Sequence, residues 1–373
     1  MELFKPGTTI DFLQFRRPLA LVSGSLVLAS IVSLFVPGPN FGIDFRGGTE
    51  VEVQLDASVH AGELRAAVSE QGYSRPEVIG VADRPGRYIV RVRDVSSLSD
   101  EQVERVRGAL AKALGDIKID QMRVSPGGDK ISLRLSAEAE PSMIQTALEA
   151  GGAKVRSVNR FGQDHRFEAM LVGVGDEIVA GLASKFSGKG PTDSLRIEWV
   201  GPKAGQQLRT AALQAALYAL AFILVYVAFR FDLRFAPGSI LCLLHDALIT
   251  IGAYVLLQKE FNLSTVAAIL TVIGYSINDT IVVYDRIREN MQRMRDAKLA
   301  DLINASVSQT LSRTVITSGT TLLAISGFFF WGTPVIQDIA FALSIGFVVG
   351  TYSSIYVAAA LTEWLDRRVF SRV

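Results

Sequence analysis

The sequence predicts a polytopic α-helical membrane protein with six transmembrane helices and one large α+β insert. Three observations carry this. Of 373 residues, 49% are apolar and the mean hydropathy is +0.30, too apolar for a wholly soluble chain. The apolar residues are concentrated in 19–36 and 210–365, whereas 40–200 read as an ordinary mixed globular sequence. The apolar runs have the roughly 20 residues that a bilayer requires.

The first span is expected at 19–36, ending at the Pro37-Gly38-Pro39 breaker. Arg16 and Arg17 before it resemble the start of a signal peptide. The run is longer than a usual signal core, however, and PGPNFGIDF after it lacks a small-x-small cleavage site, so it reads as an uncleaved helix. Five further spans are expected at 210–229, 236–257, 263–285, 314–332 and 336–361. An even number puts both termini on one side. The short loops orient them. Lys5, Arg16, Arg17, Arg230, Arg234, Arg286, Arg288, Arg293, Arg295, Lys298, Arg367, Arg368 and Arg372 all fall on one side, and the opposite loops offer only Lys259 with Glu260 and an uncharged turn at Trp331 to Pro334. The expected layout is a cytoplasmic segment 1–18, a first helix, an external domain 37–205, five helices within 206–365 and a cytoplasmic tail 366–373. In a Gram-negative bacterium this places the chain in the inner membrane with the domain in the periplasm.

Within the insert, 49–55 alternates with period two, 59–70 has helical spacing, 77–81 and 88–92 read as strands, 100–114 as an amphipathic helix and 117–124 as a strand. The order βαββαβ then recurs: 130–135, 140–149, 154–159, 165–171, 175–186 and 195–200. This predicts a duplicated ferredoxin-like module, with copies at about 45–125 and 129–201.

A net charge of +1 points to no nucleic-acid partner. The single cysteine, Cys242, lies in an apolar run and reads as a small buried residue. His60 and His165 stand alone and read as surface or structural. With no nucleophile–base pair, metal-ligand spacing or phosphate loop, no enzyme, cofactor or metal is expected.

The chemistry is concentrated in 274–290, GYSINDTIVVYDRIREN, which places Asn278 and Asp279 inside an apolar span. A carboxylate at mid-span costs roughly 2.5–3.5 kcal/mol on insertion scales, so it needs a protein interior and a partner. Gly274, Ser276, Asn278 and Thr280 suggest a polar, close-packing face. The candidate partners are Arg313, at the start of the fifth span, and His245-Asp246 in the third, whose side chains diverge by about 100°. Two readings stand. Desolvation favours a neutral carboxyl and an approaching guanidinium favours an ionised one, so the group can exchange a proton and drive motion. Alternatively, the charges form a static pair that fixes helix register.

Several motifs in order resemble the SecF family, one half of the SecD/SecF accessory complex of bacterial protein export, related to the resistance-nodulation-division transporters. They are Phe41-Gly42-Ile43-Asp44-Phe45-Arg46-Gly47-Gly48-Thr49 after the first span, Val200-Gly201-Pro202-Lys203 before the second, His245-Asp246, the 274–290 stretch and Ser312-Arg313-Thr314. The resemblance implies a six-helix subunit paired with SecD in a pseudo-symmetric twelve-helix unit beside the SecYEG channel, with YajC and YidC as further partners and unfolded preprotein as the cargo. It implies that Asp279 and Arg313 serve proton-coupled work, with protons as the coupling ion; His245, Asp246 and Asn278 are expected in the same relay from the residues themselves, as the ionisable and polar groups nearest in the spans. Gly42, Asp44, Gly47, Gly48, Gly201 and Pro202 match its structural signature. The insert is longer than the family's typical single module.

The expected function is therefore use of the proton motive force, with SecD, in late preprotein export. The alternative is a non-transporting scaffold of the channel complex. A small-molecule efflux pump is disfavoured because such pumps need about twice as many helices in one chain.

Overall fold

A computed structural model describes residues 9–81, 84–96, 98–125, 127–162, 164–191, 194–230 and 235–370. Of the basic residues used to orient the spans, Lys5, Arg234 and Arg372 lie outside the described residues. The chain forms two compact units, Met1–Gly42 with Thr210–Val373, and Ile43–Arg209.

The first helix, α1, covers Arg16–Phe35 after a 3-10 turn at Phe12–Phe15. Asp11 starts the turn, its carboxylate accepting from the Gln14 amide at 3.2 Å. Before Pro37 the helical region is sterically disfavoured, and Val36 is extended, with φ −143°. A short strand, β1 (Asn40–Phe41), closes this segment.

The second unit begins with a helical turn α2 (Ile43–Arg46), then β2 (Gly48–Gln54), α3 (Ala61–Glu70), β3 (Glu77–Gly80), β4 (Arg87–Val92) and α4 (Asp100–Leu114). It continues with β5 (Ile119–Val124), β6 (Lys130–Leu135), α5 (Pro141–Ala150), β7 (Val155–Arg160), β8 (Arg166–Leu171), α6 (Val174–Lys185) and β9 (Ser194–Val200). The α4 start is a capping box in which Ser99 and Gln102 exchange side-chain-to-backbone bonds.

The expected division into consecutive copies at 45–125 and 129–201 is wrong. One sheet has the order β3-β4-β2-β9 and the other β5-β6-β8-β7. The last strand and helix of the chain segment thus return to the first sheet, and α4 with β5 joins the second. The second sheet is nested inside the first. Core membership is the physical reason. Ile178 and Leu182 of α6 bury with Val51, Val53, Leu64 and Val90, whereas Val106 and Leu110 of α4 bury with Ile131, Ile144, Leu148 and Phe167.

Strand β2 also departs from simple alternation, because Glu50 and Glu52 are buried along with Val51 and Val53. It lies between β4 and β9, whose arginines cover the acids. Arg91 and Arg196 each reach Glu50 at 2.6 Å, and Arg87 reaches Glu52 at 2.6 Å. Desolvated carboxylates are tolerable here because each is paired and hydrogen-bonded.

The remaining helices are α7 (Pro202–Arg230), α8 (Ala236–Leu256), α9 (Leu263–Arg293), α10 (Leu299–Trp331), α11 (Pro334–Ser353) and α12 (Ala359–Leu365). A wide π turn, Ser354–Ala358, joins the last two. Ahead of α9, a strand β10 (Glu260–Phe261) pairs in parallel with β1. Among the described residues six segments are long and apolar enough to cross a membrane. Their ends differ from expectation. The fourth helix runs on to Arg293 and the fifth starts at Leu299 rather than at 314. Hydropathy does not register these polar extensions, which pack through Asn290, donating to Ser306 at 2.8 Å and Gln309 at 3.0 Å. The sixth span, expected as one helix over 336–361, is interrupted by the π turn.

Small residues set the spacing between spans, as lipid-embedded packing requires. A Cβ at Gly252 of α8 would strike Ser30 of α1, and one at Gly346 of α11 would strike Val272 of α9. Around these contacts Leu243, Ile273, Ile277, Tyr284, Ile303 and Ile355 form the apolar core.

Candidate functional site

Two buried acids lie in the bundle, and their surroundings differ. Asp246 of α8 is 0% exposed. One oxygen accepts from the Ser276 hydroxyl of α9 at 2.5 Å and the Ser353 hydroxyl of α11 at 2.7 Å. The other lies 2.8 Å from His245 Nδ1. One carboxylate thus gathers donors from three helices, and charge-assisted bonds of this kind are the strong ones. Cys242 joins the cluster, its thiol 3.1 Å from Ser353 Oγ, so it is more than the small apolar filler expected. The π turn begins immediately after Ser353, a placement common beside functional groups.

Asp279 of α9 is 3% exposed, and its Oδ2 has no hydrogen-bond partner among the described residues. The Ser318 hydroxyl of α10 lies beside it, and the Arg313 charge acts on it through space. No direct ion pair joins Asp279 to Arg313 among the described residues, and the guanidinium is exposed. A second hydroxyl chain borders this acid: Tyr275 donates to Ser318 at 3.5 Å, and Ser318 and Thr351 share a bond at 2.7 Å.

The five expected relay residues therefore divide. His245 and Asp246 form one focus, Asp279 with Arg313 another, and Asn278 belongs to neither because it is exposed. At 100° per residue, Asn278 points along the stripe of Gly274, which is also exposed, and away from the buried Ser276 and Asp279 face. The structure adds Ser353, Thr351 and Ser318, for which the sequence signal was the run of hydroxyl residues in the last two apolar runs.

The glycine motifs meet outside the apolar spans. Gly48 pairs in register with Val200, and Gly205 packs against the Gly47 amide. Gly48 has φ +128°, and a Cβ there would collide with the Val92 carbonyl, which only glycine avoids. Gly47, at φ +74°, has the same need. Gly42 donates to the Phe261 carbonyl at 2.9 Å, where a side chain would meet Glu260. Asp44 lies in the first turn of α2. Gly201 is buried and accepts from the Gly205 amide at 2.9 Å. Pro202 opens α7, a position that lacks a helical acceptor for an amide anyway.

Six apolar spans that enclose two carboxylates and their hydroxyl chains, in a chain that also carries two antiparallel sheets, define a multi-pass membrane transport protein. Family comparison resolves the class further. Residues 182–368 match the family model described as protein export membrane protein SecD/SecF, C-terminal, and residues 32–59 match the SecD/SecF GG motif. The chain belongs to the SecD/SecF family, on its SecF side. It is 34% identical to protein translocase subunit SecF of Koribacter versatilis, covering 99% of this chain and 95% of that one. It is 45% identical to protein translocase subunit SecDF of Thermus thermophilus over 65% of this chain and 34% of the relative. The crystal structure of the Thermus SecDF, described as a translocon-associated membrane protein, superposes with a TM-score of 0.67 at 32% identity, covering 98% of this chain and 40% of that one.

Proposed function

We propose that this protein is a SecF-type accessory subunit of the Sec translocase that works with SecD to couple proton movement to late steps of preprotein export. The observation that carries the reading is Asp279: an acid inside a span, with one oxygen unpartnered and a hydroxyl chain and a guanidinium close by. A carboxyl so placed has room to change partner, and Arg313, exposed on α10, is free to swing toward it or toward a partner subunit. The exposed stripe bearing Gly274 and Asn278 is a close-packing face for SecD. That the Thermus relative is a SecDF chain supports this pairing.

In this reading both termini lie in the cytoplasm, the insert in the periplasm and the chain in the inner membrane; the basic ends of the helices support the orientation. SecYEG is the channel served, with YajC and YidC as neighbours. The insert is a pair of ferredoxin-like modules, the second nested in the first and circularly permuted, and it would hold emerging polypeptide. Each proton crossing 100 mV supplies about 2.3 kcal/mol, which biases a two-state motion roughly fiftyfold.

The test is Asp279→Asn, co-expressed with SecD in inner-membrane vesicles, with preprotein release measured with and without a membrane potential. Expected are normal subunit abundance and loss of the potential-dependent step; an undiminished step refutes the coupling. A scaffold reading draws on the Asp246 carboxylate, both of whose oxygens are bonded and which ties three helices without any proton movement. It predicts that Asp279 and Arg313 variants lose export only in proportion to lost subunit.

A further inference from the structure

Helices α1, α8 and α12 enclose a cavity of about 860 Å³, and its lining is divided by chemistry. Arg16, Arg17, Arg367 and Arg368 form one rim, with Glu363 as the single acid among them. Glu363 is taken up by Arg16, at 2.9 Å, and by Arg367. The rim therefore keeps a net positive charge. Arg368 stacks 5.1 Å from the centre of the Trp364 ring, and that indole is 47% exposed. A tryptophan beside arginines at the end of an apolar span marks the headgroup level of a bilayer.

Below the rim the wall is apolar, with Val27, Leu241, Leu248 and Leu361. Ser23, bonded to Tyr352, and His245 interrupt it. His245 is 5% exposed and lines the cavity, its ring fixed through Nδ1 to Asp246, while Nε2 has no partner among the described residues. A buried ring nitrogen without a partner is costly unless something enters to meet it.

Charge, length and polarity agree on one occupant. We propose that this cavity binds an anionic phospholipid, with the phosphate between Arg17 and Arg368, the glycerol esters at the depth of His245 and an acyl chain along the apolar wall. Guanidinium groups match phosphate oxygens in forked geometry. With Nδ1 donating to Asp246, Nε2 is left as an acceptor, and a headgroup hydroxyl or a water held among the ester groups can donate to it. Basic pockets between transmembrane helices are where anionic headgroups are held.

The test uses native mass spectrometry of the full-length chain in detergent, titrated with phosphatidylglycerol, phosphatidylethanolamine or inorganic phosphate. The wild type should retain phosphatidylglycerol in preference to phosphatidylethanolamine. The double variant Arg17→Gln, Arg368→Gln changes two exposed side chains and should weaken phosphatidylglycerol on the order of thirtyfold. Gly24→Phe leaves every charge in place. A Cβ at this cavity-lining glycine meets nothing within 4 Å, so the ring fills the shaft and should abolish the adduct. Equal retention of the two lipids by the wild type, or unchanged phosphatidylglycerol binding in both variants, overturns the proposal. So does displacement of phosphatidylglycerol by equimolar inorganic phosphate, which would reveal a simple anion site.

Discussion

Replacing Asp246 by alanine removes one acceptor from three helices at once. In the wild type Ser276 donates at 2.5 Å, Ser353 at 2.7 Å, and His245 Nδ1 lies at 2.8 Å. Hydrogen bonds to a charged group are worth about 1.5–3 kcal/mol each in soluble proteins, whereas interhelical bonds in membranes average about 0.6 because released donors find other partners. The structure shows which donor has such a fallback: Ser353 already lies 3.1 Å from the Gly350 carbonyl. Counting Ser353 at about 0.6 kcal/mol and the other two at about 1.5 kcal/mol each, the foot of the charged-bond range, Asp246→Ala should cost about 3–4 kcal/mol. Asp246→Asn keeps one carbonyl oxygen for a hydroxyl and should cost about half as much. Reversible unfolding of the full-length chain in mixed micelles, followed by tryptophan fluorescence, measures both. A double-mutant cycle with Ser276→Ala should return a coupling of at least about 0.5 kcal/mol. Should Asp246→Ala unfold within about 0.5 kcal/mol of the wild type, the carboxylate does not tie α8 to α9 and α11.

Four further outcomes follow from particular contacts. Glu50→Ala strands the buried Arg91 and should cost about 3–5 kcal/mol, whereas Glu50→Leu combined with Arg91→Met should be close to neutral, both read from the denaturation midpoint of the full-length chain. Gly48→Ala forces a Cβ onto the Val92 carbonyl at φ +128° and should lower the insert's protection from proteolysis, with a cost of at least about 2 kcal/mol. Gly252→Val pushes α1 off α8 at Ser30 and should lower the melting temperature in detergent, while Gly274→Val, where a Cβ meets nothing within 4 Å, should leave the isolated subunit's melting unchanged. Arg230→Gln breaks a pair with Asp285 in which both side chains are about 40% exposed, and should change stability by about 0.5 kcal/mol or less, Asp285 keeping Arg288 at 4.0 Å.

The spans were legible because burial in lipid leaves a coarse mark: a long apolar run is readable with no knowledge of its neighbours. Their polar ends were not. Asn290 and Ser306 belong to helices that continue past the apolar runs, held by the Asn290 bonds to Ser306 and Gln309 and by buried Ile287, Ile303 and Val307. In the insert the local pattern revealed nearly every strand and helix but not the partition between sheets. Period-two alternation says that 130–135 is a strand. It does not say that β9 must cross back to β2, because α4 and α6 both present an apolar stripe and either could have covered either sheet. Glu50 and Glu52 show the same limit. Period-two alternation marks their strand but not their burial, and the covering arginines come from β4 and from β9 far along the chain.

The two acids carry the lesson furthest. Both were visible in the sequence as carboxyls in apolar surroundings, and the sequence ranked Asp279 first because polar neighbours flank it. Burial is nearly the same for both, so burial cannot tell their roles apart. Bond inventory can. Asp246 has both oxygens bonded, to Ser276, Ser353 and His245, and any displacement of its side chain must reorganise three helices together. Asp279 keeps an oxygen without a partner, beside a hydroxyl chain and within reach of one guanidinium's field. A group in that position can gain or lose an interaction without dismantling the core, and this is the property that separates a moving part from a strut. Because Ser276 lies one turn before Asp279 on α9, a shift of that helix driven at Asp279 would be felt first in the Asp246 bonds. On the proposed reading, in which Asp279 changes partner, the two foci act in series, and the stiffness of one sets how far a change at the other travels.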